Sequence, residues 1–444
     1  MRNSISMSIY IYIESVHIGN LAPPYFSLLS LNYFTLLPCC WRLEEERVMA
    51  ELDAEEACLC LVTELELYAI KLRNLKKQEN DFLKDWSSLP SPDFDFVLTL
   101  PERGMCPFEF DSKIFMASSG LIHVGLSSKS RSMKDLHPFP IYEFKFEEKC
   151  IVVAESLDPA PLPLYSSFIA NTPGSGDVFF HIDQRRSIKD SPLFYVLESG
   201  SRIWKPLILP PGSGNVELSM VVLNNNVFVS SFTGDPYLSR FDPIDKSWKV
   251  EPSSKNNLSN FICDSIIDSD ESDEFRWIYY PMISVSIPGW DCSNYTICMM
   301  HEELKLHPWN QGVYVFAILV NHHNGRVAFY QRLYMCFEGI QPVMYSGPQF
   351  NLIDLGNGKL CATLCGHQLD STSSTLCVSI FTLSMAKDFA DFAELDSGAP
   401  PMEREFLQVD VHTKNVYNFK EDRNMCNSLQ HAFVWPPTKG GRFQ

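Results

Sequence analysis

Residues 223–252 read LNNNVFVSSFTGDPYLSRFDPIDKSWKVEP. Three asparagines begin the stretch, and Asn accepts the left-handed backbone that a tight turn requires. A short apolar run, VFV, follows; it is too short for a helix and rich in β-branched and aromatic residues. Small residues and a Gly-Asp-Pro sequence then break the chain before a second run ending at Phe241. Trp248 follows seven positions later, across the turn DPIDKS. The order is turn, strand, small-residue break, strand with an aromatic, turn, bulky residue.

That order recurs along the chain. A polar turn leads into an apolar run in EEACLCLVTE from Glu55, DSKIFMASSG from Asp111, SGDVFFHID from Ser175, NNNVFVSSFTG from Asn224, NQGVYVFAIL from Asn310 and GNGKLCATLCG from Gly356. Each run is expected to be the inner strand of a repeat. The delayed bulky residue recurs as well: Leu197 and Trp204 flank ESGSRI, Phe144 and Ile151 flank KFEEKC, Val320 and Val327 flank NHHNGR, and Val409 and Val416 flank DVHTKN. In the first unit a longer loop precedes Trp86. Proline follows Trp86, Trp204 and Trp248 at short range. The starts of the runs lie about 50–65 residues apart, except for one wide gap before Val313, and blade-type repeats have about this period.

The segments VFVSSFTG…SRFDPIDKSW at 227–248 and VFFHID…YVLESGSRIW at 178–204 resemble the kelch family, in particular the divergent plant kelch-like proteins, many of which carry an F-box. The family's glycine doublet is degenerate here, as SSG, SSFTG or LCG. The resemblance covers roughly residues 55–420 and implies an all-β, kelch-type β-propeller of six blades. Its blades would stack because none can bury its apolar face alone. A set of hairpins in some other all-β fold is the alternative. Leu61, Leu65, Tyr68, Leu72 and Leu75 fall at helical spacing, but ELELYAIKL reads equally as a strand, which its place ahead of WSSLP favours. Nothing before Glu55 resembles the Leu-Pro-rich helical region of an F-box.

Residues 1–48 are expected to be an extension outside the fold. The apolar stretch Leu21–Trp41 is interrupted by Pro23, Pro24 and Pro38, so it fits neither a signal peptide nor a spanning helix. Met49 looks like a better start. The propeller is expected over 49–425, with an acidic insertion at about 253–310, and 426–444 as a peripheral tail. Ring closure should bring the strand near Cys58 next to the hairpin Glu405–Phe419, and VWPPTKGGRFQ should tolerate trimming.

The chain's net charge of −18 disfavours nucleic acid, whose phosphates need clustered Lys and Arg. No two Cys-x-x-Cys pairs stand at zinc spacing. Cys58, Cys60, Cys361 and Cys365 lie in apolar runs and read as buried free thiols of a reducing compartment. The sequons at Asn257 and Asn294 mean little without a secretion signal. HEELKLH (His301–His307) has Lys305 where a zinc helix needs its second His, so it reads as a loop. His322 and His323 read as an exposed hairpin tip. The copper oxidases of the same superfamily use a Tyr–Cys crosslink with further Tyr and His ligands, and no such set maps onto this chain.

The run DSIIDSDESDEF holds Asp264, Asp268, Asp270, Glu271, Asp273 and Glu274 without a base. Its ordinary reading is a solvated insertion; its sharper one is a contact for a basic partner through Asp268, Asp270, Glu271, Asp273 and Glu274, or phosphorylation at Ser269 or Ser272. Trp86, Trp204, Phe241 and Trp248 are expected to be structural repeat positions. The expectation is a non-catalytic protein-interaction module, an adaptor or substrate-recognition protein, cytoplasmic or nuclear, with a protein partner and no cofactor, nucleic acid or membrane. The alternative is a propeller enzyme or small-ligand binder with a central-channel pocket.

Overall fold

The computed structural model describes residues 57–75, 89–117, 139–160, 168–172, 176–181, 194–210, 218–231, 238–251, 256–261, 282–288, 290, 294–305, 311–333, 344–368, 374–386, 389, 401–419, 429 and 431–436. Their strands form six sheets arranged as a six-bladed propeller. Blade one contains β1 (Cys58–Val62), β2 (Glu66–Lys71) and β3 (Phe96–Thr99). Blade two is β4 (Cys106–Phe110), β5 (Lys113–Ala117), β6 (Ile141–Lys145) and β7 (Cys150–Val153). Blade three is β8 (Phe168–Asn171), β9 (Val178–His181), β10 (Phe194–Leu197) and β11 (Lys205–Leu207). Blade four is β12 (Leu218–Leu223), β13 (Asn226–Ser231), β14 (Leu238–Asp242) and β15 (Ser247–Val250). Blade five is β16 (Ile283–Val285), β17 (Tyr295–Lys305), β18 (Gln311–Asn321) and β19 (Val327–Leu333). Blade six is β20 (Met344–Asp354), β21 (Lys359–Gln368) and β22 (Ser374–Met385), joined by β24 (Leu407–Phe419) after β23 (Met402–Glu403) has paired with β19. The last strand, β25 (His431–Trp435), returns to blade one and pairs with β1.

The innermost strands β4, β8, β12, β16, β20 and β25 follow one another around the ring, whereas β3, β7, β11 and β15 are the exposed outer edges. The apolar runs are continuous because each blade is sandwiched. Alternate residues of a strand point to opposite faces, so Phe179 packs toward blade four while Phe180 packs toward blade two. Among the described residues six hydrophobic clusters arise this way, one per blade interface.

Local turn chemistry sets the register. Asp111 and Ser112 have φ of 48° and 60°, and Asn224 and Asn225 have 44° and 68°, closing the two-residue hairpins β4–β5 and β12–β13. Such a turn needs a strand on either side. The apolar run after it is therefore the second strand of the blade, not the inner one expected from sequence. In blade five, Val313 falls on the third strand.

Several expectations are corrected. The insertion at 253–310 contains β16 and β17, which is why the spacing before Val313 looked wide. HEELK belongs to strand β17 rather than a loop. Val409 and Val416 do not flank a turn; both lie in the 13-residue β24, which pairs along β22, with a bulge at His412 absorbing one extra residue. Its polar sequence DVHTKN suits the outer strand of a blade. Val434 and Trp435, assigned to a trimmable tail, pair with Leu59 and Cys58. Leu59 and Leu61 also pack with Tyr417, so blades one and six touch. The strand favoured for ELELYAIKL is met: the Leu61–Leu75 stretch forms β1, β2 and a short 3-10 turn rather than a long helix. Thr63, whose hydroxyl and Glu66 backbone bond reciprocally, fixes the β1–β2 turn.

Residues 1–56, Trp86 and the acidic residues Asp264–Glu274 lie outside the described residues. Cys58, Cys60, Cys106, Cys361 and Cys365 are buried free thiols, and burial pushes Cys106 and Cys361 up to about 12. Asn257 is 2% exposed and accepts the Asn260 N–H, a position closed to a glycan.

Candidate functional site

Antiparallel strands put the first–second and third–fourth turns of a blade at the same end of the ring. At this end, polar side chains connect successive blades. Ser199, in the outer turn of blade three, donates its hydroxyl to Asp111 of blade two at 3.1 Å. Its backbone N–H donates to Asp177 Oδ1 at 2.9 Å. Glu198 accepts from Lys205 within its blade and from Lys246 of blade four, and those hydrogen bonds hold its carboxyl below the usual range. Asp242 is held at about 2 by Lys249 and by the N–H groups of Asp245 and Ile244.

The link between blades four and five corrects the expectation for His322. Rather than standing at an exposed tip, it is 3% exposed. Its Nε2 lies 3.3 Å from Asn224 Nδ2 and its Nδ1 lies 3.2 Å from Thr296 Oγ1. Its carbonyl accepts from Asn226 Nδ2 at 3.1 Å. Burial, with the neighbouring His323, holds the imidazole below its ordinary pKa. Gly325 makes the docking possible: its φ is +69°, and a Cβ there would overlap the Leu238 side chain of blade four. His323 remains exposed.

Between blades three and four this face opens into a cleft of about 140 Å³. Phe179, Val227 and Phe241 form an apolar floor, with Pro243 at one edge. Thr172, Asp177 and Asn225 supply its polar groups. Thr172 donates its hydroxyl to the Asp177 carbonyl at 3.0 Å, which fixes the loop that carries the carboxylate. Phe241 is held from behind by Trp248, with ring centroids 5.2 Å apart, and by Phe179 at 5.1 Å.

Of the tryptophans singled out from sequence, Trp248 lies behind this site, against Phe241. Trp204 and Trp248 are 7% and 9% exposed and sit in the interfaces of blades two and three and of blades three and four. Phe241 both packs in the core and floors the cleft. Sequence reasoning missed Thr172, Asp177 and Asn225. Asn225 was visible as a turn residue, but nothing local relates it to Asp177 on another blade.

A second feature lies on the innermost strands of adjoining blades one and two. Burial pushes Glu109, on β4, up to about 7, and pushes His431, on β25, down to about 4. Among the described residues no three His, Cys, Asp or Glu side chains converge as metal ligands, and no helix is long and apolar enough to cross a membrane.

No family model matches the chain, and no curated protein matches it. Among solved structures, it is similar to the N-terminal domain of Nup159, at 10% identity and a TM-score of 0.33, over 83% of this chain and 88% of that one. It is also similar to an exo-1,5-alpha-L-arabinanase from a bovine ruminal metagenomic library, at 10% identity and a TM-score of 0.30, over 64% and 93%. A puromycin hydrolase matches at 11% identity and a TM-score of 0.27, over 69% and 54%. Likenesses this remote carry no functional argument, and the assignment of a six-bladed β-propeller rests on the strand order of the chain itself.

Proposed function

We propose that this propeller is a kelch-like protein-interaction module, an adaptor or substrate-recognition protein rather than an enzyme, working in the cytoplasm or nucleus. The observation that carries the reading is the size of the cleft. At about 140 Å³ it falls below the ~300–1,000 Å³ of sites that enclose a small-molecule substrate, and suits one side chain presented by a larger partner. The rigid turn face around it supports the same reading, because it is cross-linked from blade to blade and can receive a partner without rearranging. Buried free thiols are consistent with a reducing compartment.

The test uses the full chain immobilised in native extract at mild salt. A polypeptide should be recovered at near-equal molar amount, and Pro243→Trp, which covers the cleft from its exposed edge, should abolish the recovery while leaving the melting temperature unchanged. Purified protein that instead releases a stoichiometric small molecule or transition metal on denaturation would overturn the reading. That outcome would favour the second reading, a small-ligand binder at the central channel. Glu109 and His431 are what recommend it, because shifted groups on innermost strands mark candidate sites.

A further inference from the structure

We propose that Asn257 and Arg326 form a carboxylate-binding site beside the outer strand of blade five, independent of the interaction-module reading and of the cleft between blades three and four. The two residues stand opposite each other in an isolated antiparallel bridge, which joins the segment after blade four to the start of β19. The Leu258 N–H donates to the Gly325 carbonyl at 2.8 Å and the Val327 N–H to the Asn256 carbonyl at 2.7 Å. Those flanking bonds make Asn257 and Arg326 a non-hydrogen-bonded pair, whose side chains share one face at the closest approach two strands allow. Asn257 Nδ2 and Arg326 Nε are both buried there, and neither has a hydrogen-bond partner among the described residues.

Two donors side by side, one of them cationic, call for an acceptor that carries negative charge. The flipped amide, whose oxygen would accept from Arg326, is excluded: Asn257 Oδ1 already accepts the Asn260 N–H at 2.8 Å, a bond the amide nitrogen cannot make. The Phe261 N–H goes to the Asn257 carbonyl at 3.0 Å, so the backbone of this turn is satisfied without a ligand and the two side chains are not. A water molecule could accept from both donors, yet it would leave the guanidinium without a counter-ion. A carboxylate answers both needs. Its two oxygens match the fork of Nε and the adjoining Nη, and Nδ2 adds a third bond. One guanidinium balances one carboxylate, whereas a phosphate dianion would bring a second charge that a neutral amide cannot offset. Asn257 is 2% exposed and Arg326 half-buried, so the ligand enters from the Arg326 side.

The experiment titrates the full chain at neutral pH with carboxyl-labelled sodium acetate, against sodium chloride at equal ionic strength, and reads the acetate carbon linewidth and the melting temperature. Acetate should broaden saturably and raise the melting temperature, while chloride and neutral acetamide should leave it unchanged. Arg326→Lys keeps the charge but loses the forked edge, and should weaken acetate about fivefold or more. Asn257→Asp keeps the acceptor for the Asn260 N–H and sets a carboxylate beside Arg326 from within, so it should abolish acetate binding and melt above wild type. Acetyl-Gly-Gly with a free carboxyl binding tighter than acetate would assign the site to a polypeptide C-terminus, and the reverse order to a free small acid. Phosphate binding tighter than acetate, or acetate binding unchanged in Arg326→Lys, would overturn the carboxylate assignment. Absence of saturable broadening with the wild-type chain, a measurement that needs no variant to fold, would remove the site altogether.

Discussion

Trp248 donates its indole N–H to the carbonyl of Ile208, 2.7 Å away, tying blade four to the backbone that leaves blade three. Trp204 does the same one blade earlier, donating to the Asp158 carbonyl beyond blade two at 3.1 Å. Each ring also packs edge-on against the preceding blade or the one it joins: Trp248 on Phe194 at 5.3 Å, Trp204 on Phe108 at 6.1 Å. The delayed tryptophan of the repeat is thus a clasp between neighbours, joining apolar burial to one directed bond. Trp248→Ala should cost about 3–5 kcal/mol in chemical denaturation. Trp248→Phe keeps most of the packing and should cost about 1 kcal/mol, because the exposed Ile208 backbone regains water. Equal losses for the two variants would show that the indole N–H, not the ring, is the clasp.

The turns of this ring were legible because they are local. Asp111, Asn224 and Gly356 announce left-handed backbone by residue type alone, and the phenylalanine seven residues before a tryptophan marks the directly paired Phe241 and Trp248. What lay beyond the sequence was non-local. The inner strand of blade one comes from His431–Trp435, so no turn before Cys58 could announce it. Blade five begins with the three-residue β16, too short to carry a periodic signal. The cleft escaped notice for the same reason, since Asp177 and Asn225 meet only once two blades stack.

Gln331 carries a second clasp, between blades five and six. It is 8% exposed; its Oε1 accepts the N–H groups of Phe406 and Leu407 at 2.9 and 2.8 Å, and its Nε2 donates to the Leu407 carbonyl at 2.9 Å. One side chain satisfies three backbone groups where the chain enters β24. Gln331→Leu is close in size but leaves all three unpaired, and should cost about 3 kcal/mol or more in urea unfolding. Gln331→Glu retains the double acceptor and should cost visibly less. A leucine variant as stable as wild type would remove the clasp from the account of closure.

Closure of the ring depends on β25. All five of its residues pair with β1, and Phe433, fully buried, meets Phe144 of blade two edge-on at 6.0 Å. Without this strand, β1 becomes an unpaired inner edge, and such an edge invites association with other copies. Truncation after Leu429 should therefore give aggregated protein, whereas truncation after Pro436 should leave the melting temperature within a few degrees of the full chain. Phe433→Ala should give a soluble protein destabilised by about 3–5 kcal/mol. A monomeric, cooperatively melting protein lacking 430–444 would contradict the closure described.

Glu109 and His431 make opposing demands on pH. The Glu109 carboxyl, raised from 4.5 to about 7, keeps its proton in the folded state where the unfolded chain has released it, so its contribution to stability declines as pH rises through that window. The His431 imidazole, lowered from 6.5 to about 4, stays neutral where the unfolded chain takes up a proton, so stability is lost as pH falls from 6.5 toward 4. Each slope approaches about 1.4 kcal/mol per pH unit at most. Between pH 4.5 and 6.5 they run against each other, and the pair flattens the profile. Replacing one partner should uncover the other. Glu109→Gln should gain stability over wild type as pH rises from 4.5 to 7, and His431→Gln should gain over wild type as pH falls from 6.5 to 4. Urea midpoints measured across that range decide the matter, and difference curves that stay flat would mean that neither group is desolvated on its innermost strand.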